Sequence, residues 1–389
     1  MRTLGDLDLQ DKRVLIRADL DGTGRQLNRK ILAATRAINQ VLSRNGRPIV
    51  ASHLSPVDGG LPTLEPVGEV LSSLLGRKVK LVRGPAASWS KEVEQGKGEV
   101  ILLENMMLHS GERTNSLALA NHLASLADVY VNDDFSSSTF SLASTVGVAD
   151  RIREVAIGPR LWDELDQLDK SMNDPIRPMV TIVGGDDVRA KLRTVRHMVT
   201  RSDRLLIGGA VAFVFLEAQG LDVGLASNES DLVEEAQAVM EIANEEGTAI
   251  VLPTDVIMAM TKDEDAEGEV FSVKEIDPRS MALDIGPESI NHFLAAIKDA
   301  KTIIWNGTMG AWELEQFSEG TRAMAFAVAN SHAYTVAGGR GTINAVEASG
   351  DISKINHASL GGDAFKAMLS GERLPGVEKL SWRARGSQK

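Results

Sequence analysis

Short apolar runs alternate with amphipathic stretches along the first half of the chain. The runs are rich in Val, Ile and Leu and end in polar residues, whereas the stretches between them carry apolar residues three or four positions apart. Predicted strands cover residues 12–20, 48–52, 79–82, 99–105 and 128–133, and predicted helices cover 30–44, 68–75, 117–126 and 159–172. This alternation predicts a parallel, doubly wound α/β sheet.

The same alternation continues beyond the turn residues 173–175, which predict a domain boundary. An apolar run ends at Val183, further strands are predicted at 205–209, 249–253, 302–306 and 334–339, and helices at 210–218, 231–246, from Ile343 and, as the last helix, through Leu369. Gly-Gly pairs close four strand-like runs, at 184–185, 208–209, 338–339 and 361–362. Close helix-sheet packing is one reason for such glycines, and a crevice where the backbone approaches a ligand is the other.

The composition narrows the functional classes. The chain has 389 residues, of which 43% are hydrophobic, and 42 Lys+Arg against 54 Asp+Glu give a formal net charge of -12. This charge argues against nucleic acid and anionic membranes as general partners. The chain has no Cys, which excludes disulfides and thiol catalysis. Because no long apolar segment or signal-peptide pattern is present, we predict a cytoplasmic protein.

Polar residues at predicted strand ends are the first candidates for a binding site. Arg17 and Asp19 end the first strand and His53 follows the second. In an open α/β sheet the carboxyl ends of the strands face the ligand crevice, so these side chains are expected there. For His53 taken alone, a structural histidine is the preferred interpretation.

The turn after Val183 has the backbone pattern of a phosphate site. A β-branched run, a Gly-Gly pair and a helix-forming segment would aim helix N–H groups at an anion. Asp186 and Asp187 place two negative charges in that turn, however. The sequence therefore predicts either a working phosphoryl-transfer site or only its frame.

Eight stretches, in order along the chain, resemble motifs of the phosphoglycerate kinase family. They are Arg17-Ala18-Asp19-Leu20-Asp21, Ser52-His53-Leu54, Leu102-Leu103-Glu104-Asn105, Ile182-Val183-Gly184-Gly185, Ile207-Gly208-Gly209 through Phe213, Leu283-Asp284-Ile285-Gly286-Pro287, Ile304-Trp305-Asn306-Gly307 through Glu313, and Ala337-Gly338-Gly339. The resemblance implies two Rossmann-like doubly wound parallel-sheet domains joined by a helix. Residues 1–172, with 375–389 returning to them, would bind phosphoglycerate, and residues 173–374 would bind ATP or ADP with Mg²⁺. A monomer and the glycolytic phosphoryl transfer between ATP and 3-phosphoglycerate are also implied.

The resemblance assigns roles residue by residue. The substrate-binding candidates are Arg17, Asp19, Asp21 and His53, and the catalytic candidates are Lys30 and Lys191. Lys30 matches a family arginine unless the register slips and Arg29 takes that place. The nucleotide-binding candidates are Gly184, Gly185, Gly208, Gly209, Asn306, Glu313, Gly338, Gly339, Thr342, Gly361 and Gly362.

The chain departs from the family pattern where phosphoryl transfer needs positive charge. Three family arginines match Pro56, Met107 and Phe140. On the nucleotide side, a family lysine matches Asp187, and the aspartate that holds the metal matches Gly341. Asp363 takes a glycine position at a helix start, where it is expected to cap the helix and to repel ATP.

These departures leave three hypotheses. The first is a family member that is inactive or strongly impaired in phosphoryl transfer and has a binding or regulatory role, with a small-molecule ligand or protein partner that the sequence does not name. The second is a functional phosphoglycerate kinase with a rearranged site, in which Arg29, Lys30, Lys191 and Arg340 compensate. The third is another enzyme on the same fold, with a less anionic ligand beside Met107, Ser136, Ser137 and Phe140.

Overall fold

The computed structural model describes residues 1–56, 59–96, 98–226, 230–349 and 352–386. The chain divides into two compact units, which we call unit 1 (Met1–Asp166 and Arg373–Lys389) and unit 2 (Gln167–Glu372). The division falls inside a helix, Pro159–Asn173. The domain boundaries drawn from the sequence stay a prediction, and residues 387–389 of the returning segment lie outside the described residues.

Unit 1 is built on one parallel sheet with the strand order β3-β4-β2-β1-β5-β6. Its strands are β1 (Arg13–Ala18), β2 (Arg47–Ala51), β3 (Val79–Val82), β4 (Val100–Leu103), β5 (Val129–Asp133) and β6 (Glu154–Ile157). Its helices are α1 (Gly24–Leu42), α2 (Glu65–Leu75), α3 (Trp89–Gln95), α4 (Leu117–Ser125) and α5 (Pro159–Asn173), which continues into unit 2.

The strands at the centre of this sheet are buried because helices cover it. β4 and β5 are buried at every position, as the wholly apolar sequence of β4 requires in a parallel sheet. Ile31, Ala34 and Ile38 of α1 pack with Val67 and Leu71 of α2 in one core cluster on this sheet. The first turns of α1 were missed by the sequence pattern, since residues 24–29 are mostly polar and only Leu27 packs against the core.

Unit 2 contains a second parallel sheet, with the order β15-β14-β13-β7-β8-β9, and an antiparallel sheet, β11-β10-β12. The strands are β7 (Met179–Val183), β8 (Arg204–Ile207), β9 (Ala249–Val251), β10 (Asp255–Ala259), β11 (Glu269–Ser272), β12 (Met281–Ile285), β13 (Thr302–Asn306), β14 (Tyr334–Ala337) and β15 (His357–Ala358). The helices are α6 (Val188–Met198), α7 (Gly209–Ala218), α8 (Ser230–Glu246), α9 (Pro287–Ile297), α10 (Glu319–Ala329), α11 (Arg340–Ala348) and α12 (Asp363–Leu369). A further helix, α13 (Pro375–Gly386), belongs to unit 1.

The two parallel sheets confirm the predicted fold class, and the antiparallel sheet was not predicted. The edge strand β11 is exposed at nearly every position, so it lacks the apolar pattern on which strand prediction depends. The prediction that the helix through Leu369 is the last one was wrong, because α13 follows it. Among the described residues, no helix combines the length and apolar character needed to cross a bilayer.

Candidate functional site

In unit 1 the predicted substrate residues surround the carboxyl end of β1, and Arg17 lies at their centre. Its guanidinium is fully buried. It donates to Ser144 Oγ at 2.8 Å, to His53 Nδ1 at 2.8 Å and to Ser137 Oγ at 3.2 Å. It also pairs with the buried Asp134 carboxylate at 2.7 Å. The positive charge of Arg17 is therefore neutralised inside the fold.

Asp19 is the centre of a second buried cluster. Lys30 Nζ on α1 lies 2.9 Å from its carboxylate, Arg160 Nη2 on α5 lies 3.1 Å away, and Ser136 Oγ donates to it at 2.6 Å. Burial alone would raise the pKa of Asp19, but Arg160 and Lys30 lower it well below the usual range. Lys30 thus contacts Asp19 directly, while the match of Lys30 rather than Arg29 to the family arginine stays a prediction.

His53 is a neutral partner of Arg17. Burial, then the Arg17 charge, lowers its pKa. Because the Arg17 guanidinium can only donate, His53 Nδ1 accepts and the ring proton is on Nε2. That nitrogen lies 3.9 Å from Asp21, whose carboxylate accepts from the Ser55 N–H at 2.8 Å and the Ser55 hydroxyl at 2.6 Å. The structure thus brings all four predicted substrate residues together with Lys30.

The positions that carry arginine in the family pattern present apolar side chains. Met107 is half-buried and Phe140 is 55% exposed. Sequence reasoning missed two of the charged residues here, Asp134 and Arg160. Both had a signal: a second aspartate after the β5 strand end, and a basic residue directly after Pro159 at a helix start.

In unit 2 the glycine pairs bring loop backbones into close contact. The Gly185 N–H donates to the Thr308 carbonyl at 2.8 Å, and the Gly209 N–H donates to the Met309 carbonyl at 3.1 Å. A Cβ on Gly184 would lie 2.2 Å from the Thr308 oxygen, and one on Gly338 would lie 2.5 Å from the Phe365 ring. Packing within the chain therefore accounts for these glycines, while their contact with a ligand stays a prediction.

Lys191 lies within this group of loops. It is buried, and Nζ donates to the Asn306 carbonyl at 3.0 Å and also to its side-chain oxygen. Asn306 in turn donates to the Gly338 carbonyl at 2.7 Å, and the Thr342 hydroxyl accepts from the Gly307 N–H at 2.7 Å. Burial, and then the positive charge of Lys366, lowers the pKa of Lys191 to about 7.

The carboxylates at the two helix starts have different structural roles. Asp187 is the N-cap of α6, where it accepts from the Ala190 N–H at 3.2 Å. The expectation that Asp363 caps α12 is wrong, because the N-cap is Gly362 and Asp363 is the first helical residue. Its carboxylate instead lies 2.6 Å from Lys366 Nζ, one helical turn further on. Asp363 is thus already paired with a cation.

Glu313 lines a cavity of about 620 Å³ between α10 and α11, together with Trp312, Arg322, Phe326 and Ala345 among others. A Cβ on Gly341 would lie 3.9 Å from the Trp312 indole nitrogen, so the cavity lies beside the predicted metal position. Gly361 and Gly362 precede α12, and the Ser359 N–H links this turn to β14 by donating to the Ala337 carbonyl at 2.8 Å.

The donors present in unit 2 suit the anionic end of a nucleotide. Lys191 lies on α6 and Lys366 on α12, two helices that pack against each other, and the space on the Cβ side of Gly362 is open. Within the described parts of the chain, three or more His, Cys, Asp or Glu side chains do not converge as a metal site. Mg²⁺ in nucleotide sites takes phosphate and water oxygens with only one or two carboxylates, so such a cluster is not required.

The chain is similar in sequence to phosphoglycerate kinases along nearly its whole length. The family model of phosphoglycerate kinase matches residues 4–372. A phosphoglycerate kinase of Moorella thermoacetica is 41% identical over 97% of this chain and 98% of the relative, and one of Desulfosudis oleivorans is 40% identical over 98% of each.

Solved structures of phosphoglycerate kinases are also similar to this chain. The structure of phosphoglycerate kinase from Coxiella burnetii has a TM-score of 0.86 at 33% identity, covering 98% of this chain and 99% of that one. The phosphoglycerate kinase of Pyrococcus horikoshii has a TM-score of 0.83 at 26% identity, covering 99% and 100%. With the motif residues gathered in both units and a match along nearly its whole length, this chain is a member of the phosphoglycerate kinase family.

Proposed function

We propose that the chain is a phosphoglycerate kinase with a rearranged site, which transfers a phosphoryl group between ATP and 3-phosphoglycerate at a reduced rate. The observation that carries this proposal is the buried Lys191 of α6 in unit 2, which faces α12, the helix of Lys366 that packs against α6. Two ammonium groups that repel each other are stabilised by an anion bound between them. Lys366 would thus supply positive charge on the nucleotide side, where the family lysine is replaced by Asp187.

Bound Mg-nucleotide would supply the phosphoryl group, with its charge partly neutralised by the metal. Lys191 would hold the phosphate end, and Lys366 would reach it on release from Asp363. In unit 1, Lys30 lies 2.9 Å from Asp19, one of the predicted substrate residues. The identity to named phosphoglycerate kinases along the whole chain supports this assignment.

The reduced rate follows from the missing arginines. One lost preorganised donor costs roughly 10²–10³ in rate, and such losses are not additive. Family members that retain the arginines have positive charge where this chain has Pro56, Met107 and Phe140. We therefore expect turnover that is measurable but slow.

A second candidate is a binding or regulatory protein without catalysis. It is favoured by the internal ion pairs of unit 1, where Arg17, Lys30 and Arg160 are all paired with buried carboxylates. Cations that are already neutralised contribute little to holding a substrate phosphate. The two candidates differ in one measurable quantity, the turnover that depends on Lys191.

The test is a coupled turnover assay of the purified protein with ATP, Mg²⁺ and 3-phosphoglycerate. Lys191→Ala, prepared identically, controls for contaminating kinase, and Lys274→Ala, an exposed lysine of unit 2, controls for the loss of a positive charge. We expect wild type and Lys274→Ala to turn over equally and at least about 100-fold faster than Lys191→Ala. Equal rates for wild type and Lys191→Ala would exclude the kinase and leave the second candidate.

A further inference from the structure

The Asp134 carboxylate is the internal counter-ion of Arg17. It is fully buried directly after β5, and one oxygen lies 2.7 Å from Arg17 Nη1. The other oxygen accepts from the Ser137 N–H at 2.8 Å. Both carboxylate oxygens of Asp134 therefore have a contact within the fold, and its negative charge is shielded from solvent.

The N–H groups of Arg17 are largely used within the fold. Nε donates to Ser144, Nη1 donates to the Ala18 carbonyl at 2.7 Å and pairs with Asp134, and Nη2 is shared between His53 and Ser137. Of the five N–H donors of a guanidinium, four donate to uncharged partners here. The Nη1 contact with Asp134 is an ion pair that is not aligned as a hydrogen bond. Arg17 therefore acts on a bound molecule chiefly through its charge, which the neighbouring Asp134 carboxylate opposes.

The other charged groups around Arg17 do not supply a positive excess. The cations are Arg17, Lys30 and Arg160, and the carboxylates are Asp19, Asp21, Glu112 and Asp134. Glu112 is joined to Arg17 through the Ser144 hydroxyl, and burial raises its pKa, while Arg17 opposes this. An anion that approaches His53 meets at least as many negative as positive charges.

We propose that Asp134 lowers the affinity of the unit 1 site for phosphorylated acids. This inference rests on the proposed function for the identity of the acid, 3-phosphoglycerate. Asp134 acts through Arg17, whereas His53 and Asp21 are the partly exposed side chains of this group. Asp134 is a positioning residue in this sense, since it orients Arg17 and compensates its positive charge.

The test is Asp134→Asn, which removes the charge and keeps the shape. Calorimetry measures the binding of 3-phosphoglycerate and, separately, of inorganic phosphate. Asp150→Asn is the matched control, because Asp150 lies in the same unit and pairs with Lys379 at the surface. We expect Asp134→Asn to bind 3-phosphoglycerate at least about tenfold more tightly than wild type, because the charge is buried and weakly screened. Asp150→Asn should match wild type.

A second readout separates this role from a structural one. Asp134 raises the pKa of His53, whereas Arg17 lowers it. NMR titration of His53 should therefore show a lower pKa in Asp134→Asn than in wild type, and an unchanged one in Asp150→Asn. Asp134→Ser serves as a second, smaller substitution if the asparagine variant is unstable.

The outcomes are distinct from those of the turnover assay. Tighter 3-phosphoglycerate binding by Asp134→Asn, together with no turnover in the wild type, would contradict the proposed function but support the role of Asp134. Tighter binding of inorganic phosphate alone would show that 3-phosphoglycerate is not recognised. It would overturn the proposal that Asp134 lowers the affinity for phosphorylated acids. Unchanged binding of both probes, or failure of both Asp134 variants to fold, would also overturn it.

Discussion

At the residue scale, Arg17 and Lys30 show that a cation of the candidate site can be occupied by an ion pair within the fold. Both cations are where the family resemblance places them, yet each is bound to a buried carboxylate. Removing one partner of a buried pair costs about 3–5 kcal/mol, since the other charge is left uncompensated. These side chains therefore contribute to the fold of unit 1 as well as to its candidate site.

Lys191 has the converse property, because its ammonium is buried without a carboxylate bonded to it. Its pKa is lowered from 10.5 to about 7. Between these values the unfolded chain binds a proton that the folded chain does not, so stability rises with pH in this interval. Below pH 7 Lys191 is charged in both states, so burying its charge lowers the free energy of unfolding by the full amount.

We predict that Lys191→Met is more stable than wild type at pH 6. The advantage should shrink by about 2–3 kcal/mol between pH 7 and pH 9, as the buried lysine of the wild type loses its proton. Urea unfolding of both proteins at these pH values measures the difference. A constant or widening gap would show that Lys191 stays charged in the folded protein.

At the scale of elements, the starts of α6 and α12 both follow Gly-Gly turns, of which the one before α6 packs closely against a neighbouring loop. Asp187 caps α6, and Asp363 pairs with Lys366 in the first turn of α12. Both carboxylates are favourable for the helices because a helix N-terminus carries partial positive charge. The same charge would hold a phosphate, so helix stability and nucleotide binding compete at these positions.

The competition gives a prediction for Asp187→Lys. The variant loses the N-cap and should be destabilised by about 1 kcal/mol, while its affinity for Mg-ADP should rise. Thermal unfolding and calorimetry measure the two effects, and Asp187→Ser, which keeps a capping side chain, is the control. A stable variant without a gain in affinity would mean that no phosphate reaches this turn.

At the scale of the whole molecule, the C-terminal segment completes unit 1. α13 begins at Pro375, and the Gly376 carbonyl accepts from Asn132 at 3.3 Å beside Ser138. Leu380 is buried, and Lys379 pairs with Asp150 at 2.9 Å. More than 200 residues of unit 2 separate these partners along the chain.

Deletion of residues 375–389 should therefore destabilise unit 1 selectively. Hydrogen exchange should accelerate in β5 and β6 and stay unchanged in β7 and β13, because α13 belongs to unit 1. The loss of buried Leu380 alone is worth about 2–5 kcal/mol, and Leu380→Ala is the milder variant for comparison. Equal acceleration in both parallel sheets would contradict this assignment.

The sequence by itself determined the fold class, most element positions and the family. The bounds of β3 and β13 match their predictions, and α5 matches within one residue. These elements are apolar runs or amphipathic repeats, so their signal is local in the chain. The motif residues of the candidate site were found in the same way, by type and order.

Only the tertiary structure decided which charges neutralise each other and which strands pair without an apolar pattern. Arg17 and Asp134 are far apart in sequence, as are Asp19 and Arg160, and no local pattern joins them. The edge strand β11 was missed because it is mostly exposed. β10 and β12 are mostly buried, and their antiparallel pairing is seen only in the tertiary structure. Periodicity reports which face of an element is buried, whereas ion pairing depends on where distant elements meet, and that is fixed by packing of the complete core.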